Sequence, residues 1–109
     1  SIKSYPIPAG VAVNSPNPFD PSKERTKIIY NLEEETDIKF YLFTTTAELV
    51  WKREFVAGSE GAKSGENVVE WNGRTDFGEI ASNGVYLLKV IDKRSGKVKA
   101  RGKIATLWQ

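Results

Sequence analysis

Two groups of carboxylates are the first places in this sequence where chemistry could reside. Glu33-Glu34-Glu35 followed by Asp37 concentrates acids in one short segment. Two carboxylates facing one another across a glycosidic bond can hydrolyse it. Neighbouring glutamates in a turn diverge into water instead, and nothing around them would desolvate one to raise its pKa. A solvated turn is therefore expected there. Asn72, Asp76 and Glu79 form the second group, in a glycine-rich stretch. Oxygen ligands on a turn suit calcium, but their spacing does not match an EF-hand loop. Side-chain hydrogen bonds that shape the turn are the favoured reading, with calcium left open. The chain has no His and no Cys. That removes Ser-His-Asp triads, Cys-His dyads, thiolate metal sites and nearly all zinc sites. Gly58–Gly65 is also not followed by the Lys-Ser/Thr and helix of a phosphate-binding loop. No cofactor, no metal and no catalytic residue is expected, and an independent enzyme ranks last among the readings.

Binding surfaces are better represented. Ile38, Phe40 and Leu42 alternate with Lys39, Tyr41 and Phe43. If the first three face a core, Tyr41 and Phe43 face outward. With Trp51 they form a candidate aromatic face for sugar rings or protein partners, unless a neighbouring domain or the N-terminal segment covers them. Lys97, Lys99, Arg101 and Lys103 alternate with Val98, Ala100, Gly102 and Ile104. A period of two places all four cations on one face of a half-buried strand. Lysines protect an exposed strand from edge-to-edge association, which is the favoured role, and an electrostatic landing site for an anionic surface is the other. The ridge is expected to lack aromatics on its own face, and an acidic middle opposes it, so nucleic acid is not an expected partner.

These side chains need elements to hold them. The prolines (Pro6, Pro8, Pro16, Pro18 and Pro21) all fall within the first 21 residues, so residues 1–21 read as an irregular lead-in with at most an edge strand near Val11–Val13. Residues 22–109 then show strand patterns at Thr26–Leu32, Ile38–Phe43, Leu49–Val56, Asn67–Trp71, Val85–Ile91 and Lys97–Leu107, with a hairpin tip at Ser95-Gly96. No window has the apolar spacing of an amphipathic helix. About seven antiparallel strands in one domain predict an all-β, immunoglobulin-like sandwich. Charge is uneven along it: residues 33–79 hold 11 acids against 5 bases, and residues 80–109 hold 7 bases and only Asp92. The alternation just described assigns that basic end to a strand rather than to a disordered tail. No apolar run approaches the roughly 18 residues a membrane helix needs. The absence of Met, even at position 1, suggests a processed chain or a module from a longer protein.

Two segments go beyond a generic sandwich. Asn17-Pro18-Phe19-Asp20-Pro21 is a rigid corner, in which the prolines fix φ, Phe19 plugs the end of the core and Asn17 hydrogen-bonds nearby backbone. Trp71-Asn72-Gly73-Arg74-Thr75-Asp76-Phe77-Gly78, followed by Gly84-Val85-Tyr86, ends one strand in the core, turns tightly and begins another. In this order and spacing the pair resembles the immunoglobulin-like domain of bacterial flagellar hook-capping proteins, over about Val11 to Leu107. It is also similar to modules at the C-terminus of many bacterial secreted and surface proteins, and more loosely to the sorting domains of type IX secretion. Two departures stand out: the Thr44–Glu48 turn lacks the usual Gly, and Ile104–Gln109 replaces the lysine-rich ending of the sorting signals. The resemblance implies a non-catalytic C-terminal module of an exported bacterial protein, on the cell surface or outside it, serving attachment, sorting or assembly. Its partners would be other domains of the parent protein or envelope and secretion components. Polysaccharide binding through the aromatic face and self-assembly of the hook-cap kind are the alternatives.

Overall fold

The computed structural model describes residues 7–109, so Pro6 lies outside the described residues. They form eight strands and no helix: β1 (Gly10–Val11), β2 (Val13–Ser15), β3 (Thr26–Leu32), β4 (Ile38–Thr44), β5 (Leu49–Phe55), β6 (Gly65–Trp71), β7 (Gly84–Asp92) and β8 (Val98–Thr106). A five-stranded sheet runs β1-β8-β7-β4-β5 and a three-stranded sheet runs β2-β3-β6. This is the expected all-β sandwich.

Alternation builds the layers. In β3 the buried positions are Thr26, Ile28, Tyr30 and Leu32; in β4 they are Ile38, Phe40 and Leu42; in β7 they are Tyr86, Leu88 and Val90. A period of two sends each set to the inner face of its sheet. Aromatic rings link the sheets, with Phe40 6.1 Å from Tyr30 and Trp71 5.7 Å from Tyr86, while Phe40 and Trp51 stand 5.6 Å apart on neighbouring strands of one sheet. Tilted and edge-to-face arrangements like these are worth about 0.5–1.5 kcal/mol per pair beyond the area they bury.

The lead-in is the main difference from expectation. It holds two strands instead of one edge strand, and they belong to different sheets. β1 pairs parallel with β8, with Gly10 opposite Ala100, and β2 pairs antiparallel with β3, with Val13 opposite Ile29. The chain changes sheets at Ala12, whose N–H donates to the Arg101 carbonyl at 2.8 Å. Gly102 makes this crossing possible, because a Cβ there would stand 2.6 Å from the Ala12 carbonyl oxygen. Phe19, at the end of the lead-in, is only 1% exposed.

Candidate interaction surface

The two segments that carry the resemblance lock into one another. Phe19 meets Trp71 edge to face at 5.6 Å, and both rings are buried. Gly73, at φ 77°, packs so closely on the corner that a Cβ would stand 2.1 Å from Pro21 Cβ and 3.1 Å from Phe19. Pro21 is buried beneath it and Pro18 is exposed. The Asn17 side chain reaches β8 rather than nearby backbone, correcting the sequence expectation. It accepts from Ala105 N–H at 2.9 Å and donates to the Lys103 carbonyl at 3.3 Å. It thus continues the pairing of β8 where β1 has ended.

The Trp71–Gly84 segment organises itself and guards a sheet edge. Trp71 Nε1 donates to the Arg74 carbonyl at 2.9 Å, and Asn72 Oδ1 accepts from Arg74 N–H at 3.0 Å. Asp76 turns away from the loop toward β5, the open edge of the five-stranded sheet. Its carboxylate accepts from Lys52 N–H at 2.9 Å and pairs with Arg53 at 2.7 Å, while its own N–H donates to the Val50 carbonyl at 3.0 Å. Asn72 and Asp76 therefore spend their oxygens on turn and edge. Gly78 and Gly84 take φ of 85° and 151° at the bends. Tyr86 is buried, and its hydroxyl donates to the Ser82 carbonyl four residues upstream. Just before the first of these bends Phe77 is 89% exposed, beside Leu49, Val50 and Ile80 around a shallow pocket.

The acidic turn is as expected, with Glu33, Glu34 and Glu35 all exposed. Asp37 instead accepts from Ala57 N–H at 2.8 Å, tying the turn to the following loop.

Tyr41 and Phe43 lie half-buried on the outer face of the five-stranded sheet. Trp51 does not join them. A bulge between Leu42 and Phe43 sets Trp51 opposite Leu42, on the inner face, where it is 6% exposed. Arg53 caps its ring at 4.3 Å. The two remaining rings stand edge to face at 73° with centroids 5.7 Å apart, so they offer no shared flat platform for a sugar.

The basic ridge is also redrawn. β8 begins at Val98, leaving Lys97 in the hairpin return, where its carbonyl accepts from Asp92 N–H at 2.8 Å. A register shift between Val90 and Ile91 leaves Lys99 as an extra residue, lining a cleft with Glu33 and Glu34. Arg101 and Lys103 remain exposed on the outer face, opposite Lys89 and Leu87 of β7. Lys89 and Leu87 in turn oppose Tyr41 and Phe43. The ridge thus shares a face with the aromatics after all, two strands away. Sequence reasoning missed Leu87 and Lys89 because β7 reads as a continuous apolar run; their odd positions relative to Tyr86 were the available signal. It also missed Asn67, which is fully buried. Asn67 accepts from Gly61 and Lys63 N–H groups and donates to the Lys63 and Gly65 carbonyls, fixing the glycine-rich loop.

No family model matches the sequence, and no curated protein matches it. Among solved structures, PorZ, an essential bacterial surface component of the type IX secretion system of Porphyromonas gingivalis, superposes with a TM-score of 0.58 at 23% identity. That likeness covers 89% of this chain and 11% of PorZ. FlgD of P. aeruginosa, a flagellar hook-capping protein, superposes with a TM-score of 0.60 at 16% identity, over 77% of this chain and 63% of FlgD. The chain therefore shares its sandwich fold with both kinds of protein that its two motif segments resemble, and it spans only a small part of PorZ.

Proposed function

We propose that this chain is a non-catalytic attachment or assembly module of an exported bacterial protein. The observation that carries this reading is its superposition on a small portion of a secretion-system surface component, through a fold whose defining segments are used for packing. Phe19, Pro21, Trp71 and Gly73 hold each other, and Asp76 holds an edge strand, so none is left to act on a substrate. The Ile104–Trp108 segment supports attachment or assembly over sorting. Ile104 and Thr106 are core residues, and Trp108 is fixed by Asn83 at 2.7 Å and by the Ala81 carbonyl at 2.9 Å. One surface that these segments leave open to a partner is the outer face of the larger sheet.

The test is a fusion in which a signal peptide and a soluble reporter precede this chain, expressed in a bacterium with type IX secretion and in a strain lacking it. Cell-surface reporter that depends on the chain supports attachment, and reporter released into the medium would point to sorting. Reporter that stays in the periplasm whether or not the chain is present would overturn the proposal.

A further inference from the structure

The outer face of the five-stranded sheet is organised in rows. Direct cross-strand partners give one row of Val11, Arg101, Lys89, Tyr41 and Lys52, and the next row of Lys103, Leu87, Phe43 and Leu49. The first row is cationic and the second largely apolar. Among the described residues neither Arg101, Lys89, Lys52 nor Lys103 takes part in an ion pair. Leu87, Lys89, Arg101 and Lys103 also border one open depression of about 400 Å³.

Edge protection does not explain this arrangement. β7 is a central strand, paired on both sides, so Lys89 guards no edge. Arg101 and Lys89 stand directly opposite one another, and like charges so placed destabilise a sheet. Their repulsion is relieved when an anion sits between them. The apolar row narrows what that anion is. Rows on a sheet face are about 6.8 Å apart, which is the distance between residues i and i+2 of an extended chain. A segment lying along β7 with an acid at one position and an apolar residue two further on reaches both rows at once. A polyanionic glycan or nucleic acid offers at most a methyl group to place on Leu87, and the rings of Tyr41 and Phe43, crossed at 73°, offer no flat stacking surface.

We propose that this face docks an extended acidic polypeptide segment, whose carboxylates meet Arg101 and Lys89 and whose apolar side chains rest on Leu87 and Phe43. This deepens the assembly reading by naming the chemistry of the partner, and it rests on that reading for its biological meaning. The probe is an acetylated, amidated peptide of repeated Glu-Ser-Leu-Ser, titrated into the full chain and read by fluorescence anisotropy. Its counterparts replace Leu with Ser or Glu with Lys, and dextran sulfate stands for an anionic glycan. Saturable binding of the Glu/Leu peptide is expected, weakening as salt is raised. Arg101→Glu should weaken it at least tenfold and Leu87→Ser at least threefold, with melting temperatures close to that of the parent chain. Lys89→Gln provides a second, milder variant should either of these fold poorly.

Equal binding of the all-serine acidic peptide would overturn the proposal, as would dextran sulfate binding that ignores Leu87→Ser. So would no binding at all. Because the titration needs no export, the two readings fail separately. A chain that binds the peptide but never delivers the reporter sinks only the assembly reading. One that delivers the reporter but does not bind sinks only this proposal.

Discussion

Ala47 is a non-glycine residue with a positive φ, at 67°. It sits in the Thr44–Glu48 turn, where Thr44 N–H donates to the Glu48 carbonyl at 2.8 Å. Left-handed backbone costs a Cβ-bearing residue about 1 kcal/mol or more. Ala47→Gly should therefore stabilise the chain by about 0.5–1 kcal/mol, somewhat offset by the extra freedom of glycine when unfolded; urea unfolding measures it. The missing glycine was legible in the sequence, but only the backbone angle shows that the turn kept its geometry without it. Tyr30 gives a pH signature. Burial first, and the Glu60 charge second, push its phenol well above the ordinary value of 10.0. The folded chain then keeps a proton that the unfolded chain releases above about pH 10, so this contribution is complete below pH 10 and falls away as pH rises. Tyr30→Phe should flatten that alkaline loss in thermal melts between pH 9 and about pH 11. It should also cost about 1–2 kcal/mol at neutral pH through the lost 2.6 Å bond to the Gly61 carbonyl. Asn67 carries the lesson in reverse: an Asn opening a strand gave no sign that four hydrogen bonds would converge on it.

At the scale of elements, strand identity followed from alternation and register did not. Ile38–Phe43 and Val85–Ile91 are legible because one face is uniformly apolar. The two register shifts, at Leu42/Phe43 and Val90/Ile91, are not, and they moved Trp51 inward and Lys99 off the ridge. A single bulge inverts the facing of the residues beyond it, so an outward-face assignment made from spacing alone fails there. The β5 edge supplies the test at this scale. Asp76→Ala leaves Lys52 N–H and Arg53 without their carboxylate and opens part of the edge to other chains. A loss of about 1–2 kcal/mol is expected. Concentration-dependent association stronger than that of the parent chain should appear in sedimentation velocity.

For the molecule as a whole, composition and turn spacing gave the sandwich, but the part that residues 7–21 play in both sheets was not legible. β1 pairs with one sheet, β2 with the other, and Phe19 fills the end of the core. A chain starting at residue 22 leaves Trp71 and Gly73 facing the space that Phe19 and Pro21 occupied. Loss of a buried aromatic alone costs about 3–5 kcal/mol, comparable to the whole stability of a small domain. The truncated chain is expected to lose dispersed amide NMR signals and cooperative melting, whereas a stable, dispersed residue 22–109 fragment would show the lead-in to be accessory.

The parallel course of that lead-in along β8 has a mechanical meaning. On either side of β2, Gly10–Ala12 and Asn17–Phe19 lie against β8 and run in its direction, joined to it by β1, by the Asn17 amide and by the Phe19 N–H and carbonyl, the last two each 3.0 Å from their partners. Tension applied through the two ends would draw these segments oppositely along their length. Their hydrogen bonds would then bear the load side by side, in shear, and could not peel one after another. If the chain serves as the attachment module proposed above, such a clasp would yield under pulling only when its bonds gave way together.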